Sequence, residues 1–508
     1  MAQRHNAFIL RQQINEKTIF NRLGVDSTLK KQYFNLKLRV AEESIKLGSQ
    51  YTKQGFELLT NLEHKLDSIG QALENDYPHI VTSKNDFEVS TIADIQRVLK
   101  KDQALIKYFE GQDNLYSFVI TKNSVRAYVH HNVRQINSLI NQIRSILTNF
   151  NYEEVNPDSI ETEYLKAAYE LGKIIISEEL SLLPNGIKKI TIIPSGALTQ
   201  IPFEALVIRE KKTWKDPNQY LINDYAISYN YFCKALTSST IDRALKKVLS
   251  YGLEYAEYTL QMTKKFSNDS LSNQIIDKFR SEEMGHLYFA PDEADEVAAL
   301  FEGVSYVNEK ATKQNFLDNV TKYDIIHLSA HSYVDFQYPS NSAIIFTKKD
   351  SLTDNLLRIK DVDRLIFDGQ LFTLSACNTF FGKKNDGEGL SSMARSFIQS
   401  GAGSVVGSFW SVPDEISKSF MVRFYSKLKQ GLTKDEALRE TKIDFMTDDN
   451  LSSPLYRSPA FWSAWVVYGD TQQIGYSDKG LLFLGMGLMI AGVFLFFYYN
   501  YSRRSRVN

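Results

Sequence analysis

The runs Lys322–Ala330, KYDIIHLSA, followed at once by His331, and Gln370–Ala376, QLFTLSA, followed at once by Cys377, decide the fold. Each is a short apolar stretch of strand length that closes on small residues, the pattern of a strand buried on both faces and opening onto a loop. Lys188–Pro194 (KKITIIP), closed by Ser195 and Gly196, and Ser404–Trp410 (SVVGSFW) have the same character. Helical patterns alternate with them: one closes at Val297–Phe301, one runs Gly389–Ser400 with Leu390, Met393, Ala394 and Phe397 on one face, and one runs Ile416–Gln430. The alternation predicts an α/β architecture with a mostly parallel central sheet flanked by helices. Ligands of such sheets bind beyond the carboxyl ends of the strands, so Ser195–Gly196, His331 and Cys377 are expected on one rim.

Working outward, Ile92–Leu99 reads as a short amphipathic helix. Ala104–Phe109, Leu115–Ile120 and Val125–Val129 read as a meander of strands separated by turn residues, and Glu161–Leu182 as a longer helix. Residues 1 to about 78 carry helical periodicity in Ile9, Leu10, Ile14 and Ile19, in Leu36, Leu38, Val40 and Ile45, and in Leu58, Leu59 and Leu62. The chain is thereby divided into a helical segment 1–88, two α/β halves 89–285 and 286–470, an apolar segment 481–499 and a basic tail 500–508. Leu481–Tyr499 (LLFLGMGLMIAGVFLFFYY) has no charge and is just long enough for a hydrocarbon core, so a single membrane-spanning helix in contact with lipid is expected there. Arg503, Arg504 and Arg506 favour a cytoplasmic tail and hence an external α/β region. MAQRHNAFILRQQ at the start is not a signal peptide, and the reading favours the cytoplasmic side for the folded part.

The 508 residues hold 59 Lys plus Arg against 60 Asp plus Glu, 43% hydrophobic and 23% charged residues. This is the usage of a folded globular chain, and the balanced charge gives no field that would draw it onto nucleic acid. Cys233 and Cys377 lie far apart with no ligand spacing, which points to neither a disulfide framework nor a metal site. His327 and His331 sit on a strand, where four residues span about 13 Å, so they cannot share a metal ion. No cofactor is implied. A Cys thiolate beside a His is an activated nucleophile, because the imidazole takes the thiol proton and returns it to the leaving amine. Taken singly, Cys377 and His331 are ordinary buried residues; at matching strand ends they form a candidate dyad. Cys233 has no such context and reads as structural. No G-x-S-x-G elbow follows a strand, which argues against an α/β-hydrolase.

HLSAH (His327–His331), TLSACNT (Thr373–Thr379), GEGLSSMARSFIQSGAGSVVGSFWSVPD (Gly387–Asp414) and SPAFWSAWVVYGD (Ser458–Asp470), with IPSGALTQIPFEAL (Ile193–Leu206) upstream, together resemble the CHAT domain of the caspase and separase clan of cysteine peptidases. The likeness runs from about Val89 to Asp470. The 46-residue spacing from His331 to Cys377 is close to the roughly 50 of caspases. The resemblance implies a caspase-like α/β sandwich and an endopeptidase acting on a protein substrate, with His331 as base and Cys377 as nucleophile; together with the spanning helix expected at Leu481–Tyr499, the enzyme is expected to be membrane-anchored. It implies an oxyanion hole from backbone amides at Ser332 and Cys377. Ser332 and Phe380 stand where relatives often have Gly. The stretch Phe409–Asp414 is similar to one in separases that carries an acidic residue for substrate arginine, so the resemblance assigns substrate binding to Asp414 and cleavage after basic residues, whereas by position alone Asp414 reads as the cap of the helix Ile416–Gln430. Relatives carry TPR-type helical repeats ahead of the domain; residues 1–78 read as the last helices of such an array, a surface for an activating protein partner, although no 34-residue period is visible. The alternative is a catalytically silent interaction module of the same fold.

Overall fold

The computed structural model describes residues 20, 25–49, 52–77, 90–148, 157–210, 213, 215–233, 247–255, 284–335, 339–347, 354–365, 367, 369–375, 380, 383–385 and 389–475. Its first elements are two helices, α1 (Ser27–Ser49) and α2 (Lys53–Asp76), packed against each other. Thr52 starts α2 by accepting a hydrogen bond from the Gly55 amide. Phe20, Val25, Tyr33, Phe34 and Leu73 form a small core of their own, separate from the main one.

The main body is an 11-stranded sheet. Its strands in chain order are β1 (Gln103–Glu110), β2 (Asn114–Thr121), β3 (Val125–His131), β4 (Lys189–Ile193), β5 (Ala226–Tyr229), β6 (Val248–Gly252), β7 (Val304–Val307), β8 (Ile325–Ser329), then β12 (Leu371–Ser375), β15 (Ser404–Ser408) and β16 (Trp465–Gly469). Two small ladders complete the set: β9 (Ser332–Tyr333), β10 (Ala343–Ile345) and β11 (Leu356–Arg358), and the hairpin β13 (Lys383–Asn385) with β14 (Gly389–Ser391). The spatial order is β3-β2-β1-β4-β5-β16-β15-β12-β8-β6-β7.

This sheet is two parallel blocks joined back to front. β1, β4, β5 and β16 run one way, β15, β12, β8, β6 and β7 run the other, and the seam is the antiparallel pair β15/β16, from Ser404 opposite Gly469 to Ser408 opposite Trp465. One expectation is corrected by this seam. The carboxyl end of β4, with Ser195 and Gly196, lies on the rim opposite the ends of β8 and β12, because it belongs to the reversed block. Gly196 there has φ 61 and packs under Glu110, whose carboxylate accepts the Ala197 amide at 3.0 Å, so the Ser-Gly pair is a turn anchored to β1.

Helices cover both faces. α3 (Ile92–Val98), α4 (Val133–Thr148) and α5 (Pro157–Ile175) serve the first block; α4 buries Val133, Ile136, Ile140, Ile143 and Leu147, a single stripe at helical spacing. On one face of the second block lie α6 (Ala290–Leu300) and α8 (Asp414–Lys429), and on the other α7 (Met393–Gln399), whose Phe397 stacks on Phe372 at 3.7 Å. α9 (Lys434–Thr447) packs on β5, β16 and α8, across the seam. Two helices are shorter than their periodicity predicts. The expected Glu161–Leu182 helix breaks at Ile176, and in Gly389–Ser400 the first residues pair as β14 before the Ser392 hydroxyl caps α7 at the Arg395 amide.

The expectation of a membrane-anchored protein is corrected as well: among the described residues no helix is long and apolar enough to cross a membrane. The stretch 481–499 from which it was read lies outside the described residues, as does the tail 500–508.

Candidate active site

Period-two alternation sorts the second block. His327 and Thr373, paired across β8 and β12, face α6 and α8, and Ser329 and Ser375, the next pair on that face, close the two strands. At this rim the ends of β8, β12 and β15 meet the start of α8 around a cleft lined by Ser329, Ser375, Ser408, Trp410, Asp414 and Leu287. The cleft is narrow, with room for about one water molecule. The Ser375 hydroxyl is buried in its wall and has no hydrogen-bond partner among the described residues.

His331 follows β8 by two residues and is 6% exposed. Its Nε2 lies 2.7 Å from the carbonyl of Gly285, the segment leading into α6. A carbonyl only accepts, so Nε2 carries the proton, and in the neutral ring the lone pair is on Nδ1. Burial pulls the imidazole below its ordinary pKa; the Gly285 bond opposes this and nearby His286 adds to it. A neutral ring at physiological pH is the form a general base requires.

Ser332 opens β9, where Ile345 donates its amide to the His331 carbonyl at 3.0 Å and Ser332 stands opposite Ile344. The pair one step from a hydrogen-bonded position is a non-bonded one, so the Ser332 N–H is directed away from β10. Cys377 lies outside the described residues, two positions beyond Ser375. Phe380, three positions further on, is buried, donates its amide to the Ser408 carbonyl at 3.1 Å and stacks on Tyr468 at 4.7 Å, which gives this aromatic a packing role where a Gly has none.

Asp414 is the first residue of α8 and does not cap it; the N-cap is Pro413. Its carboxylate reaches across the cleft wall and accepts the Phe289 amide at 2.5 Å, at the start of α6. Burial raises this carboxyl to about 6, opposed by the Phe289 bond and Lys418 and reinforced by Glu293. The structure thus brings His331, Ser332 and Asp414 to one rim. His327 is fully buried beneath them, 2.9 Å from Glu293 and edge-on to Tyr425, whose hydroxyl donates to Thr373 at 2.8 Å. Cys233 is buried against Ile193 and Leu105 in a satellite core. Among the described residues no group of His, Cys, Asp or Glu could hold a metal ion. Gly285 and Leu287 belong to no sequence motif and were invisible to reading by pattern.

The family model of the CHAT domain matches residues 165–470, more than half of the chain, and the chain belongs to this family. The match begins within α5, so β1–β3 extend the sheet ahead of it. Among curated proteins, tetratricopeptide repeat protein 28 of Homo sapiens is 22% identical over 315 residues, 56% of this chain and 12% of the relative; the Mus musculus protein is 23% identical over 241 residues. The chain therefore corresponds to a small part of those relatives. Among solved structures, separase from the Saccharomyces cerevisiae separase–securin complex has a TM-score of 0.45 at 11% identity, covering 78% of this chain and 31% of that one. The Arg-specific cysteine proteinase gingipain R of Porphyromonas gingivalis has a TM-score of 0.35 at 10% identity, covering 67% and 74%.

Proposed function

We propose that this chain is a cysteine endopeptidase of the CHAT family in which Cys377 is the nucleophile and His331 the general base. The observation that carries this reading is the state of His331: at the carboxyl end of β8, with Nε2–H donated to Gly285 and the basic lone pair on Nδ1. Cys377 is two positions beyond Ser375, a reach of about 7 Å at most. If the alternation that puts Thr373 and Ser375 on this face is carried two residues on, Cys377 comes to the same cleft.

In the reaction the Cys377 thiol gives its proton to His331 Nδ1 and the thiolate attacks the scissile carbonyl, forming a tetrahedral oxyanion stabilised by the Ser332 and Cys377 amides. Collapse expels the amine, which takes the proton from His331, and leaves a thioester. Water, deprotonated by the same imidazole, then hydrolyses it and regenerates the thiol. Asp414 suits a substrate Arg or Lys, since a half-dry carboxylate pairs well with a guanidinium. Such a side chain has to share Asp414 with the Phe289 amide and widen the cleft past Leu287. The substrate is a protein, and the catalytic half is 286–470, with 89–285 as its non-catalytic companion and α1–α2 as a docking surface for an activating protein. The direct test is labelling by a peptidyl acyloxymethyl ketone with Arg before the reactive group. Modification of Cys377, found by mass spectrometry and absent in His331→Ala, supports the reading; a protein that stays unmodified across pH and partner conditions is the silent module.

A further inference from the structure

Beyond its end at Gly252, β6 continues across the rim: Leu253 donates to the Ser329 carbonyl at 3.1 Å, and two residues later Tyr255 turns with φ 61, a left-handed conformation uncommon for a bulky side chain. The ring this turn projects is buried and lies 4.7 Å from the His331 ring, tilted by 40°. Its hydroxyl accepts the His331 backbone amide at 2.9 Å and donates to the Ile345 carbonyl. In the β9/β10 ladder, His331 and Ile345 occupy a position where two residues would normally exchange both of their amide bonds. Only one exchange is direct, Ile345 N–H to the His331 carbonyl. In the other, the phenol oxygen of Tyr255 is inserted between the two groups.

We infer that Tyr255 is the positioning residue of the candidate dyad: its hydroxyl, wedged into the ladder, sets the main-chain angle at His331, while its ring backs the imidazole against the Gly285 carbonyl. This rests on the reading of His331 and Cys377 as a dyad. Without the wedge the ladder closes by a direct bond and carries the His331 main chain toward Ile345, or the His331 amide and Ile345 carbonyl stay buried and unpaired. Either outcome moves the imidazole relative to the thiol it activates. Fold and activation are separable here, because the thiolate is stabilised only when the imidazolium is close to it.

The test is the pH dependence of Cys377 alkylation by iodoacetamide, followed by peptide mass spectrometry on the full chain, with thermal unfolding measured alongside. The parent is expected to alkylate with a thiol pKa well below the ordinary 8.5 or so, and His331→Ala to return it to that value. Tyr255→Phe is expected to stay folded and raise the thiol pKa by about one unit, slowing labelling about tenfold at a pH at least one unit below the parent's thiol pKa, where the thiolate fraction falls tenfold per unit. If Tyr255→Phe does not fold, Tyr255→Met, which fills similar depth without a hydroxyl, is measured in its place. A folded hydroxyl-less variant with the parent's pKa and rate overturns the role of Tyr255 while leaving the dyad standing. A parent whose Cys377 titrates ordinarily and is indifferent to His331→Ala overturns the dyad itself.

Discussion

His331 and Asp414 are each tuned by neighbours from distant parts of the chain. His331 owes its tautomer to Gly285 and its main-chain angle to Tyr255, and Asp414 owes its partner to Phe289. Cys377→Ala and His331→Ala should each lower peptide cleavage about 10⁴-fold or more with the fold retained, because nucleophile and base act as one unit; a parent-like rate in purified Cys377→Ala would remove the nucleophile. Cys233→Ala should leave cleavage unchanged. For Asp414 the pH dependence has two opposite signs. A folded carboxyl raised to about 6 holds its proton more tightly than the unfolded one, so it favours the folded state at acid pH and that contribution fades as pH rises from about 4 to about 6. The charge that binds a guanidinium, in contrast, exists only above that range. The preference for Arg over a neutral residue before the scissile bond should therefore climb as pH rises through about 6 and be low and flat in Asp414→Asn. A pH-independent preference in the parent would take Asp414 out of the pocket. The sequence made His331, Cys377 and Asp414 visible because they punctuate apolar runs and carry motif residues. Tyr255 and Gly285 stayed hidden because their roles arise from contacts 76 and 46 positions away along the chain.

At the scale of elements, the strands that lead to the site are legible for a simple reason: buried parallel strands are continuous apolar runs, and β4, β8, β12 and β15 read as such. β6 (VLSYG) and β16 (WVVYG) are equally apolar and just as short, and without a punctuating functional residue five such positions do not separate strand from buried helix. No apolar run encodes its own direction either, and this is why the seam was missed and Ser195 was expected on the wrong rim. The end of β6 also limits the position of α6. A Cβ on Gly252 would lie 2.2 Å from the Ala290 carbonyl oxygen and 2.8 Å from the Pro291 Cα, and neither main-chain atom can swing aside. Gly252→Ala should cost about 1–3 kcal/mol by overpacking and, by pushing the start of α6 outward, loosen both Gly285 on His331 and Phe289 on Asp414. Chemical denaturation together with iodoacetamide labelling reads both effects; unchanged stability would mean that α6 yields freely.

At the scale of the whole molecule, α9 fastens the two blocks. Lys442 and Glu204 form a buried pair at 2.9 Å, and the Tyr229 hydroxyl also donates to Glu204. Lys189 meets Asp435 at 3.2 Å, and Arg439 donates to the Ile222 and Asn223 carbonyls. Burial pulls the Lys442 ammonium below its ordinary pKa while Glu204 holds it up. Lys442→Met alone strands a buried carboxylate and should cost about 3–5 kcal/mol, whereas Lys442→Met with Glu204→Leu should recover most of that loss; a double-variant cost equal to the sum of the two single-variant costs would show the pair to be uncoupled. For the same reason a fragment of residues 286–470 should fail to fold, having lost the strand beside β16 and the partners of α9, and a cooperative melt from that fragment would argue for two independent domains. The reversed seam has one more consequence, for how such a chain can lengthen. Loops after β4 and β5 open on the rim away from the cleft, so insertions there can accumulate without crowding a bound peptide. Loops after β8, β12 and β15 open on the cleft itself, where under the proposed function each added residue competes with substrate for space. One rim of the sheet is free to vary in length, whereas the other already carries the β9–β11 ladder and the β13/β14 hairpin in the segments that follow β8 and β12.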